Sequence, residues 1–158
     1  WRSEIKAMFV TTANKLIGKK AAIISPLRAS LDIAFDTSAL EAETEKLQEE
    51  LMVASDLIQK CIYENAHVAL DQTEYQKRYD GLTARFDSAK AQLEEIDSAI
   101  ADKKSRRAAI EAFLDTLAQA DLMEKFDPAL WCGLVDFVAV YDKDDVRITF
   151  KNGQEIKT

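Results

Sequence analysis

From Leu40 onward, apolar or small residues recur at alternating steps of four and three: Leu40, Thr44, Leu47, Leu51, Ala54, Ile58, Cys61, Asn65 and Val68. Steps of that kind keep one stripe of a helix turned toward a partner, the a/d seam of a coiled coil. A second, longer ladder runs Tyr75, Tyr79, Leu82, Phe86, Ala89, Leu93, Ile96 and Ile100. It crosses polar Lys103 and Arg107 and resumes at Ile110, Leu114 and Leu117. Between the ladders lies "NAHVALDQTE", where Asp71 and Glu74 have the offset of a capping box, so the second helix is expected to start there.

Helices joined by so short a connection run antiparallel, which leaves only their register open. A turn centred on Leu70 sets Cys61 against Tyr79, Ala54 against Phe86, Leu51 against Ala89 and Leu40 against Ile100, small residues facing large ones. Sliding by one heptad would bury Lys103 and Arg107 against Thr44 and Leu40 without partners, at a cost of several kcal/mol. The Leu70-centred register is therefore expected, with Lys103 and Arg107 level with Asp36 and Ile33. The resulting arm is roughly 40 Å long at ~1.5 Å per residue. With one covered stripe per helix, it needs a base to hold it.

Both ends of the chain supply one. Ile5, Met8, Phe9, Thr12, Ala13, Leu16 and Ile17 share a face of a first helix ending near Gly18. Asp127-Pro128 reads as an N-cap followed by an N1 proline, opening a short helix "PALWCGLV". From Val135 to Tyr141 the residues become β-branched and aromatic, and Val146, Ile148 and Phe150 alternate with Arg147 and Thr149. Turns at Asp142–Asp145 and Asn152-Gly153 then close a three-strand meander. The expected fold is mainly α: a long antiparallel coiled-coil hairpin inserted in a small α+β base with a C-terminal β-meander. Residues 1–36 form the first helix and connection of the base, 37–109 the arm with its tip near 65–72, and 110–158 the helix end, short helix and meander.

Composition narrows the function. Charged residues make up 31% of the 158 residues, with four Gly and two Pro, and the net charge of -7 makes the whole chain a poor clamp for duplex DNA. The acid is uneven. Trp1 to Arg28 holds six basic residues against Glu4, whereas Asp36 to Asp56 holds seven acids against Lys46. Cys61 and Cys132 form no C-x-x-C and are expected as reduced, buried thiols, and His67 is the single histidine, so no metal or cofactor is expected on this chain. No glycine pattern cradles phosphate, and the Glu-rich run reads as a solvated helix face, so neither a catalytic centre nor an enzyme activity is expected. No apolar run reaches the length of a membrane span and no signal peptide is visible, which points to a cytoplasmic chain without a membrane partner. The start at "WRSEIKAMFV", inside a helical pattern, suggests a piece of a longer protein. The most distinctive surface is the tip, where Val68, Ala69 and Leu70, flanked by Tyr63 and His67, crowd apolar atoms with nothing of their own to cover them.

Three stretches together resemble the C-terminal region of large serine recombinases, the integrases and transposon resolvases of phages and mobile elements of Gram-positive bacteria. "EIKAMFVTTANKLI" resembles the helix after the zinc-ribbon cysteines. "EYQKRYDGLTARFDSAKAQLEEIDSAIADKKSRRAAIEAFLDTL" is similar to the second coiled-coil helix, with its Tyr75-x-x-x-Tyr79 start and Arg106-Arg107-x-x-Ile110-x-x-Phe113 exit. "KFDPALWCGLVDFVAVYDKDDVRITFKNGQEI" resembles the closing FD-x-x-LW-x-x-LV helix and meander. The resemblance implies an arm that contacts other recombinase subunits, controlling synapsis and direction in DNA recombination and integration, with a directionality factor as a further partner. The family's catalytic serine domain and zinc ligands have no counterpart here, so zinc is expected only in an upstream ribbon, and DNA as a partner of the full-length bacterial or phage protein. On this chain the implied tip contacts are Tyr63, His67, Val68, Leu70 and Tyr75, and the candidates for DNA-backbone contact are Lys15, Lys19, Lys20 and Arg28. The competing expectation is a free-standing coiled-coil scaffold or chaperone-like protein without a DNA role.

Overall fold

A computed structural model describes residues 1–158. The chain is mainly helical and ends in a small antiparallel sheet: α1 (Arg2–Gly18), α2 (Lys20–Ala34), α3 (Ser38–His67), α4 (Gln72–Gln119), α5 (Pro128–Leu134), β1 (Val135–Asp142), β2 (Asp145–Phe150) and β3 (Glu155–Lys157). It divides into two compact units, Trp1–Phe35 with Ser105–Thr158, and Asp36–Lys104, and α4 contributes residues to both.

In the first unit the expected face of α1 is the buried one. Phe9, Thr12, Ala13, Leu16 and Ile17 are all covered. Thr12 joins this face because its hydroxyl donates back to the Met8 and Phe9 carbonyls at 2.9 and 3.1 Å, satisfying it inside the helix. The helix does end at Gly18, but no left-handed glycine caps it; Lys19, at φ -108°, makes the break. The next residues are helical, where the sequence suggested a connection. α2 carries Pro26 in its interior, which removes one helical N–H. Burial outweighs that loss: Leu31 lies in the core, and Ile23, Ile24 and Leu27 pack against it.

The core joins Phe9, Ala13, Leu16 and Ile17 to Phe113, Leu114 and Leu117 of α4, Leu134 of α5, and Ile148 and Phe150 of β2. Phe9 meets Trp131 and Phe126 edge-on, at ring-centroid distances of 5.0 and 5.8 Å. Two polar contacts fix the rest. Asn14 exchanges a pair of 2.8 Å hydrogen bonds with the Met123 backbone, holding the loop after α4. Lys20 donates to the Ala118 and Ala120 carbonyls at 3.2 and 2.8 Å, a cation satisfying the orphan acceptors at the end of α4.

α5 begins as expected, with Asp127 Oδ1 accepting from Ala129 N at 2.7 Å and Leu130 N at 3.3 Å, and Pro128 at the first turn. Cys132 on this helix is exposed, which corrects the expectation of two buried thiols; Cys61 alone is buried. The sheet order is β1-β2-β3. Val146, Ile148 and Phe150 are buried and pair with Val140, Val138 and Val135. In the last hairpin Gly153 has φ 86° while Asn152 stays at negative φ. Gly153 N donates to Phe150 O at 2.8 Å and Phe150 N to Gln154 O at 2.9 Å, so this is a three-residue loop with glycine at its left-handed position.

In the second unit, every residue of the first ladder up to Asn65 is buried or half-buried, and so is every residue of the second from Tyr75 to Ile100. Full burial is confined to Leu47, Ala54, Cys61 and Ala89. Larger rings such as Phe86 are only half covered. Arg78 donates to Glu64 at 2.8 Å, Arg85 Nη2 to Glu50 at 2.9 Å, and Lys103 Nζ to the Asp36 carbonyl at 3.0 Å. As the α4 partner advances from 78 through 85 to 103, its mate retreats from 64 through 50 to 36. Asp71 Oδ1 accepts from Thr73 N at 2.8 Å and Glu74 N at 3.0 Å, starting α4 at Gln72 as the sequence suggested.

Candidate contact surface at the end of α3

α3 stops where its hydrogen-bonded ladder runs into Val68, which is extended at φ -127° and ψ 137°. Its N–H still reaches Glu64 O at 2.9 Å. The residue before it, His67, stacks on Tyr63 one turn back, with centroids 4.0 Å apart and planes 23° apart, the i, i+4 neighbours of a helix face. His67 Nδ1 lies 2.8 Å from Tyr63 O. A carbonyl only accepts, so this bond places the proton on Nδ1 and leaves Nε2 as the open nitrogen.

Tyr63, Val68 and Leu70 are 63%, 57% and 37% exposed, and Ile62 adjoins them at 46%. With His67 they make the last turns of α3 and the turn after it rich in exposed apolar and aromatic residues; in the same stretch Glu64 pairs with Arg78, and Asn65 accepts from Gln72 at 3.0 Å. Tyr75 is half-buried, its ring 6.0 Å from that of Tyr79.

The basic candidates separate into two kinds. Lys15 and Lys19 are exposed near the end of α1. Lys20 is engaged by the α4 carbonyls, and Arg28 donates to Asp115 at 3.0 Å. Charges elsewhere in the first unit are likewise used structurally: Arg107 binds Asp32 at 2.7 Å and Glu111 at 3.0 Å. No three His, Cys, Asp or Glu side chains converge on a metal-sized site. No helix is long and apolar enough to cross a membrane.

Sequence reasoning missed three further exposed apolar residues on α3: Met52 at 62%, Val53 at 39% and Ile62. They fall beside the main seam, and the signal was present as the same four-three spacing displaced by one and two residues. Comparison of the chain with protein-family models, curated proteins and solved structures found no match.

Proposed function

We propose that this chain is the coiled-coil and C-terminal part of the zinc-ribbon domain of a large serine recombinase, and that it acts as a subunit-contact module in site-specific DNA recombination. In this reading α3 and α4 form an antiparallel coiled-coil hairpin inserted, in sequence, between the two halves of the α+β base. Its end meets other recombinase subunits and so governs synapsis and direction. The observation that carries the proposal is the exposure of Tyr63, Val68 and Leu70, with the Tyr63–His67 stack, at the end of α3. The family stretches on α1, on α4 and from α5 through β3 support the assignment to recombinases. DNA contact belongs to the full-length protein, with Lys15, Lys19 and Arg28 as this chain's exposed contributors.

The test is Val68→Glu with Leu70→Glu in the full-length protein. Both sites are at least 37% exposed, so the fold is retained while a charge enters the contact. Synaptic complexes scored by gel shift should drop at least tenfold while binding to a single attachment site stays unchanged. Wild-type synapsis and integration by the double variant would remove the assignment of this surface.

A further inference from the structure

The large apolar residues left exposed on α3 are Met52, Val53, Ile62 and Tyr63, and their placement is symmetric. They form two adjacent pairs ten residues apart, centred between Leu57 and Ile58. They lie on two lines beside the seam that holds Leu47, Ala54 and Cys61. The first line, one residue along, is Gln48, Met52, Ser55, Gln59, Ile62 and Ala66, and none of these is charged. On the opposite flank of the seam Glu50 and Glu64 reach Arg85 and Arg78. Charge thus guards one edge of α3 and is missing from the other. At about 100° per residue the uncharged line lies about 100° round the helix from the seam, so α4 does not fill it.

Resting on the subunit-contact reading above, we propose that this face packs against the same face of a second copy, the two α3 helices running antiparallel about a two-fold axis level with residues 57 and 58. Self-complementarity selects this occupant and this direction. In the antiparallel register Met52 meets Ile62, Gln48 meets Ala66, and Ser55 meets Gln59. An isologous interface repeats each pair twice. On the next line the pairs centre on residue 58 rather than 57, so one axis between the two leaves every pair within about 1.5 Å of level. Val53 then lies near Tyr63, Asp56 near Lys60 and Glu49 near His67, so apolar meets aromatic and each acid meets a basic or titratable partner, whereas parallel helices would set Asp56 beside Asp56. The chain carries a net charge of -7, and this uncharged line brings no like charges of two copies together.

The size of the face predicts how firmly it holds. About 27 Å of helix from Gln48 to Ala66 presents on the order of 400 Å² a side, half the ~800 Å² of a stable interface. The contact is therefore reversible for the isolated chain and suited to partners already brought together.

Cysteine cross-linking reads the register directly. In a background with Cys61→Ala and Cys132→Ser, Met52→Cys and Ile62→Cys are made as separate proteins, and their circular dichroism melts are compared with the background. Disulfides need Cα atoms within ~7 Å. Antiparallel packing brings residue 52 to residue 62 of the partner and leaves two copies of residue 52 about 15 Å apart. Mixing the two variants under mild oxidation should therefore give a cross-linked heterodimer, several-fold above either variant alone. Self-cross-linking of Met52→Cys alone, or no cross-link in the mixture, overturns the proposal. Sedimentation of the same samples separates the two levels. Association without the 52–62 cross-link rejects this face and leaves the subunit-contact reading standing. Failure of both association and synapsis rejects that reading too.

Discussion

The two compact units solve the same problem with different means. In the first, rings and branched chains from α1, α2, the end of α4, α5 and the sheet are covered: Phe9, Phe113 and Phe150 are all at most 1% exposed. In the second, two helices share a single stripe, the fully covered residues are mostly small, and exposed ion pairs such as Glu50 with Arg85 line one edge. A two-helix layer has no third element to close over its flanks, so large side chains stay half-wet. Stability is concentrated where function is not proposed, and exposed apolar surface gathers where it is.

The contrast can be broken by truncating one ring in each unit. Phe113→Ala should cost ~3–5 kcal/mol, as deletion of a fully buried ring does. Phe86→Ala, half-buried, should cost about half as much, since the lost burial scales with the area covered. Urea denaturation followed by circular dichroism compares them; equal losses would show that the second unit is packed as deeply as the first.

A smaller effect tests close packing within the first unit. A Cβ added to Gly133 would lie 2.8 Å from Thr116 Cγ2. Gly133→Ala should therefore destabilise by ~1–3 kcal/mol despite the better helix propensity of alanine. Adding Thr116→Ser, which deletes that methyl, should recover much of the loss. Two independent, additive effects in the double-mutant cycle would contradict the contact.

Local caps give a smaller step again. Asp127→Ala should cost ~1 kcal/mol through two unmatched N–H groups at the start of α5.

Least in size is the response to acid, and it touches both units. The Arg85 hydrogen bond holds Glu50 below its ordinary 4.5, and the Arg147 hydrogen bond holds Asp145 below its ordinary 3.8. Both carboxylates bind protons less readily when folded. Their contribution is present above the ordinary values and disappears as pH falls through the lowered ones. Stability should be level from neutral pH to about 5 and decline below about 4, and the decline should be shallower in Glu50→Gln. These groups are solvent-exposed, so raising salt should weaken the effect.

Much of this was legible in the sequence because it depends on local periodicity. The α1 face, the two ladders, the Asp71 and Asp127 caps and the closing meander each follow from spacing within a few residues. α2 was not legible: the stretch after Gly18 was expected as a connection, whereas it is a helix with Leu31 in the core and Ile23, Ile24 and Leu27 packed against it. The clamp of Asn14 on Met123 and the capping of α4 by Lys20 join residues about a hundred positions apart, beyond any spacing rule. Lys20 and Arg28 look like free cations in a basic segment until their acceptors are in place. At the end of α3, Tyr63, His67, Val68 and Leu70 stood out as apolar residues at a turn. Tyr75 could not be told from them, because spacing alone does not show how far a ring is covered. Met52 and Ile62 were hidden by their company, since a heptad displaced by one residue is masked by the stronger seam beside it.

Sedimentation equilibrium over a wide concentration range, on the wild-type chain and on Val68→Glu with Leu70→Glu, tests the central claim most directly. Monomer is expected at low micromolar concentration, with reversible association as concentration rises and loss of that association in the double variant at an unchanged melting curve. A tight dimer at every concentration would point to a constitutive scaffold, and a wild-type association curve in the double variant would contradict the contact surface assigned here.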